Sequence, residues 1–203
     1  MKVIIAIFFA YLALSQPVAA DVINGKVVGI VDGDTIDVVD ASGEQHRIRL
    51  AGIDAPEKSQ AFGSRSTENL STMVFGKTVS VQWSKKDRDE RAVGKVLMAG
   101  QDTNLAQVRA GLAWHFKKYQ KEQPPADRAS YAQAENEARA RRVGLWADPN
   151  PIPPSDYRHG TGDASPEKRM QAGEACPCGA AVSCTGPKGG TYCMTNGGKK
   201  KYL

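Results

Sequence analysis

Three runs of alternating polar and apolar residues between Val22 and Ile53 constrain this chain more than any other feature. The first, Val22 to Val31, is rich in β-branched residues and ends at the turn signal Asp32-Gly33. The second, Thr35 to Val39, closes on Asp40-Ala41-Ser42-Gly43, and the third runs from Gln45 to Ile53 through Ile48 and Leu50. A period of two with short turns between the runs predicts an antiparallel meander with one buried face. Its third strand sets Arg47, Arg49 and Ala51 on one face and ends where Asp54 can stand beside Asp34.

The pattern then changes period. Ala61 to Phe75 carries Leu70, Met73 and Val74 at helical spacing, with Gly76 as its C-terminal cap. Alternation returns in Lys77 to Ser84 through Val79, Val81 and Trp83, a charged turn spans Lys85 to Arg91, and Ala92 to Met98 reads as a fifth strand. Five strands with a helix after the third is the order of an OB-fold barrel, an α+β arrangement. Asp102-Thr103 can cap a short helix reaching Ala110 before Gly111, and Pro124-Pro125 opens an alanine-rich helix from Ala126 to Arg142. Both are expected to pack outside the barrel. The arginines 139, 141 and 142 meet the negative end of that helix and need no further role.

Both ends of the chain read differently. Residues 1–20 begin with Lys2, continue through twelve apolar or aromatic residues from Val3 to Leu14, and end in Pro17-Val18-Ala19-Ala20. That is the layout of a cleavable signal peptide, since a membrane span needs about 20 apolar residues. Export to the periplasm or medium is expected, with the mature chain starting at Asp21. Four prolines from Pro149 to Pro154 mark the edge of the compact unit 21–158, and 159–175 reads as a linker. The segment 176–203 is too short to hold a core without staples, and it contains all four cysteines, Cys176, Cys178, Cys184 and Cys193. In an exported chain this favours disulfides over a zinc site.

The net charge of +5 is unevenly placed. Residues 21–158 hold 20 Lys and Arg against 19 Asp and Glu, whereas 159–203 hold 6 against 3. A core so close to neutrality argues against a tight, non-specific nucleic-acid binder and for local placement of cations. Asp34, Asp54 and Glu57 form a carboxylate group suited to a hard cation bound through oxygen. Arg49 beside them suits bidentate recognition of a phosphate diester. His46, His115 and His159 show no ligand spacing.

The motifs DGDT at 32–35, RLAGIDAPE at 49–57, DRDERAVG at 87–94, VRAGLA at 108–113 and GLW at 144–146 together resemble the staphylococcal nuclease (thermonuclease) family in order and spacing. The likeness covers residues 23 to 158. It implies a Ca²⁺-dependent nuclease for DNA or RNA, with calcium held by Asp34, Asp54 and the Ala55 carbonyl. By the same resemblance Glu57 positions or deprotonates water, Arg49 and Arg91 bind the phosphate, Tyr119 and Lys117 face the nucleotide, and 3′-phosphates are left. Four positions depart from the family pattern: Ala55 stands for threonine, Lys117 for tyrosine, and Asp89-Glu90 for Tyr-Gly. A monomer is expected. The competing readings are a non-catalytic OB-fold binding module, or a carrier for a binding tail.

Overall fold

A computed structural model describes residues 21–160 and three short tail strands at 184–185, 191–194 and 200–202. The first three strands are β1 (Asp21–Ile30), β2 (Thr35–Asp40) and β3 (Gln45–Leu50), and they pair antiparallel in sequence order. Two longer strands follow, β5 (Thr78–Lys86) and β6 (Ala92–Met98), and the two-residue strands β4 (Ile53–Asp54), β7 (Gln101–Asp102) and β8 (Trp114–His115) complete the unit. β1 pairs with β5 and β5 with β6, and the parallel contact of β3 with β6 (Ile48 with Ala92, Leu50 with Gly94) closes the barrel. Closure removes the free edges of the meander.

The alternation predicted from sequence is what fills this barrel. Val27, Ile36, Val38, Ile48, Leu50, Val79, Val81 and Val96 are buried, at positions where one side chain in two points inward. Helix α1 (Gly63–Val74) adds Leu70 and Val74 to the same core. Helices α2 (Thr103–Arg109) and α3 (Pro125–Ala140) pack on one another outside it, the first capped by Asp102 Oδ1, which accepts from Leu105 N at 2.9 Å. Their ends cross closely. Gly111 (φ 65°) and Gly144 (φ 58°) leave no room for a Cβ, which would lie 2.3 Å from Val143 O and 2.1 Å from Gly111 O respectively.

Several boundaries move from their predicted places, each for a local reason. β3 stops at Leu50 rather than Ile53, because Ala51-Gly52 turns with Gly52 at φ 75°, and Asn104 Nδ2 donates to Ala51 O. Ile53-Asp54 is a separate strand against His115 and Trp114. α1 begins at Gly63 rather than Ala61, since Phe62 is left-handed. β5 continues to Lys86, which narrows the charged turn to Asp87–Arg91. Past the prolines, and still within the expected unit 21–158, Pro153-Pro154 starts a helix, α4 (Pro154–Arg158), that returns to the barrel mouth. Among the described residues no helix is long and apolar enough to cross a membrane. The expected signal segment, most of the linker, and Cys176 and Cys178 lie outside the described residues. Cys184 falls in β9 (Cys184–Thr185) and Cys193 in β10 (Thr191–Met194), which pairs with both β9 and β11 (Lys200–Tyr202).

Candidate active site

Asp34 is delivered by the turn between β1 and β2. The turn is held from below, where Gln107 Nε2 of α2 donates to Gly33 O at 2.7 Å and to Ser66 O of α1 at 3.0 Å. Gly33 lies so close to Ser66 that a Cβ would fall 2.0 Å from Ser66 Oγ, so the turn is fixed by packing. Asp34 is 5% exposed. Its Oδ1 accepts from Thr35 Oγ1 at 3.1 Å and its Oδ2 from Ala55 N at 2.7 Å. Burial pushes its carboxyl up to about 7; Arg49 opposes the rise, and Asp32 and Asp54 add to it.

The short pairing of β4 with β8 places Asp54, 2% exposed, beside it. Arg49 joins the two carboxylates, with Nη1 2.9 Å from Asp34 Oδ2 and Nη2 3.1 Å from Asp54 Oδ1. Its Nη1 also donates to Leu50 O at 3.2 Å and Ile53 O at 3.1 Å. Ala55 follows, buried, and Glu57 stands at the rim, where its N–H donates to Gln60 Oε1 at 3.1 Å.

A residue that sequence reasoning passed over completes the cluster. Arg158, at the end of α4, donates from Nη2 to Asp54 Oδ2 at 3.0 Å and from Nη1 to Glu57 Oε1 at 2.6 Å. Sequence carries no signal for this role, because the contacts span 104 and 101 residues and start beyond a proline run.

Arg91 lies further along the same cleft, held by the turn before β6. Its Nε donates to Asp87 Oδ2 at 2.8 Å and its Nη2 lies 3.3 Å from Asp89 Oδ2. Burial raises the Asp87 carboxyl, but the Arg91 N–H and guanidinium outweigh it and leave the group below its ordinary value. Arg88 in the same turn is a surface residue, its side chain 92% exposed against 26% for Arg91. The two acids that depart from the family pattern separate here: Asp89 faces Arg91, while Glu90, left-handed at φ 58°, turns toward Lys86.

Tyr119 is an exposed ring in the cleft, edge-on to Phe116 at 5.2 Å, with Lys85 Nζ 5.2 Å and Lys118 Nζ 5.7 Å from its centroid. Lys117 lines the cleft too, but its Nζ is engaged by Glu135 Oε2 at 2.5 Å. Trp114 is a packing residue, edge-on to Trp146 at 4.3 Å, with the Arg139 guanidinium 4.0 Å from the Trp146 centroid. Arg49, Asp54, Glu57 and Lys117 border one open cleft of about 1590 Å³ that runs from Asp34 past Arg91 and Tyr119 to Arg158.

The oxygen donors of Asp34 and Asp54, buried and with one carboxyl strained upward by desolvation, fit a hard cation. Among the described residues, the three-ligand grouping within 4.8 Å is a different one, Asp40, Glu44 and His46 at the turn after β2. It is occupied by turn hydrogen bonds: Asp40 Oδ1 accepts from Ser42 N, Ser42 Oγ and Glu44 N, and Oδ2 meets His46 Nε2 at 2.8 Å. Asp34, Asp54 and Glu57 are kept wider by the guanidiniums of Arg49 and Arg158.

A family model described as staphylococcal nuclease homologue matches residues 47–148. An uncharacterized endonuclease of Escherichia coli is 42% identical over 146 residues, which cover 71% of this chain and 91% of that protein. A second uncharacterized endonuclease, from Haemophilus influenzae, is 43% identical over 133 residues, 66% of this chain and 71% of its own. A protein of Shigella flexneri named micrococcal nuclease is 40% identical over 163 residues, covering 76% and 90%.

Proposed function

We infer the chemistry of the cleft from one premise: the chain belongs to the staphylococcal nuclease family and is a phosphodiester hydrolase whose substrate is nucleic acid. We propose that it is an exported, calcium-dependent endonuclease. The observation that carries this reading is the clustering of two buried carboxylates, a bridging arginine and a rim glutamate in one cleft with Arg91 and Tyr119.

Asp34, Asp54 and the Ala55 carbonyl would hold Ca²⁺, which supplies positive charge against the phosphate when bound. Glu57, at the solvent rim, orients a water and takes its proton as the water oxygen attacks phosphorus in line. The bond to the 5′ oxygen breaks, and that oxygen leaves as an alkoxide that takes a proton from solvent water, so the products are a 3′-phosphate and a 5′-hydroxyl. Arg49 and Arg91 donate to the non-bridging oxygens as charge accumulates on them. Tyr119 offers a ring face to a base, and Lys117, its charge compensated by Glu135, lines the cleft beside the nucleotide.

We further propose that residues 1–20 are removed on export, that 21–158 work as a monomeric nuclease domain, and that 176–203 form a disulfide-stapled basic tail. Purified mature protein should cleave single- or double-stranded DNA or RNA with Ca²⁺ and stop in chelator. Undiminished cleavage in excess chelator refutes the metal reading; no cleavage under any condition favours the binding-module alternative.

A further inference from the structure

We propose that Arg158 is a positioning residue that acts as a tethered counter-cation: it holds Asp54 and Glu57 when no metal is bound and must leave when a divalent cation enters. This rests on the assignment of Asp34 and Asp54 as metal ligands.

The argument is one of charge and anchorage. Three carboxylates, Asp34, Asp54 and Glu57, are matched here by two guanidiniums, Arg49 and Arg158. A divalent ion added to that set would bring three cationic groups within contact of two buried carboxylate side chains, where repulsion is weakly screened. One guanidinium has to withdraw. Arg49 is fixed in the barrel wall, with backbone acceptors at Leu50 and Ile53 besides its two carboxylates. Arg158 hangs from a five-residue helix, its side chain is 41% exposed, and its guanidinium is bonded to Asp54 and Glu57. The helix is moored to the loop carrying Glu57 by one further bond, Ser59 Oγ with Tyr157 Oη at 3.0 Å, and the segment before it by Gln60 Nε2 to Ile152 O at 2.6 Å. Arg158 is therefore the group that can move. While in place it also ties up Glu57, since a carboxylate already accepting from a guanidinium is a poorer acceptor for a water proton. Cation binding and release of α4 are thereby one equilibrium, and affinity is lowered by the fraction of molecules held closed.

The test is Ca²⁺ titration calorimetry on the mature full-length chain at fixed pH and salt, together with amide exchange of residues 154–160. Arg158→Ala should bind Ca²⁺ about 10- to 30-fold more tightly than wild type, with Arg158→Lys between the two. Ca²⁺ should speed exchange in 154–160 of the wild type. Tyr157→Phe, which loosens α4 without touching the carboxylates, should also tighten binding by a smaller factor, and it serves if Arg158→Ala does not fold. Unchanged or weaker Ca²⁺ affinity in these variants, or no change in exchange, overturns the proposal and leaves the calcium site standing. Absence of Ca²⁺ binding in every protein, wild type included, refutes the calcium site and the counter-cation role with it.

Discussion

Asp34→Asn should make the metal-free protein more stable while destroying its activity, and the effect should depend on pH. In the folded protein burial lifts the Asp34 carboxyl from 3.8 to about 7 even with Arg49 beside it. The folded state therefore holds a proton that the unfolded chain releases. A raised folded value contributes stability that is fully present below about 4 and is lost as pH rises through about 7. Over that window the loss amounts to about 4 kcal/mol, an upper figure because relaxation and water entry soften buried charges. Asparagine is the neutral isostere, but its amide can accept only on one side. It keeps the Ala55 N–H or the Thr35 hydroxyl and loses the Arg49 pairing, at about 1 kcal/mol for a hydrogen bond. The expected net gain is about 2–3 kcal/mol at pH 8 and close to zero at pH 4. Urea unfolding in chelator at pH 4, 6 and 8 measures it, with linear extrapolation for each variant. If Asp34→Asn is less stable than wild type at pH 8, or its gain is the same at all three values, desolvation of Asp34 is not the governing term. Saturating Ca²⁺ should reverse the order, because the wild type alone gains binding energy.

Arg91→Ala should cut kcat by about 10²- to 10³-fold with little change in KM, since one donor to transition-state charge is lost; Arg88→Ala should weaken binding in a salt-dependent way and spare kcat. A large kcat loss at Arg88 would show that the turn is misread. Asp89→Asn should raise activity by freeing Arg91, whereas Glu90→Gln, which faces Lys86, should change little; steady-state rates separate the two. Mg²⁺ should replace Ca²⁺ poorly in the cleavage assay, because Ca²⁺ accepts an irregular set of oxygens whereas Mg²⁺ demands a near-ideal octahedron and gives up its waters reluctantly. Non-reducing mass spectrometry should find two disulfides among Cys176, Cys178, Cys184 and Cys193, with no Cys176–Cys178 pair in so short a loop; four free thiols or bound zinc would refute this.

What could be read from the chain before its structure divides along a physical line. The barrel was legible because its signal is local: each strand announces itself by alternation, and Val27, Ile36, Ile48 and Val81 are inward at the positions the period predicts. Asp34 was legible for the same reason, being delivered by the turn of a short-range pairing, whereas Asp54 was marked by its motif and is placed by the longer-range pairing of β4 with β8. The breaks at Ala51-Gly52 and Phe62 were not, because they depend on Asn104 reaching Ala51 and on a left-handed residue that no turn motif marks. Lys117 illustrates the limit at the site: a lysine among aromatics looks free for phosphate, yet Glu135, buried on α3, takes its charge. Arg158 is the furthest case. A guanidinium just past a proline run is unremarkable until the fold brings it to Asp54 and Glu57, where it pairs with both carboxylates. Asp34, Arg49, Asp54 and Glu57 are encoded in one short stretch, while Arg158, which pairs with two of them, comes from α4 far along the chain, and Asp89, which meets Arg91, from a surface turn. A nuclease active-site cleft whose carboxylates and arginines are mutually paired in the metal-free state costs less to fold than one left bare, since each buried charge then has a partner. By the same pairing, any anion entering the cleft must compete with Asp34, Asp54, Asp87 and Asp89 for the guanidiniums of Arg49 and Arg91.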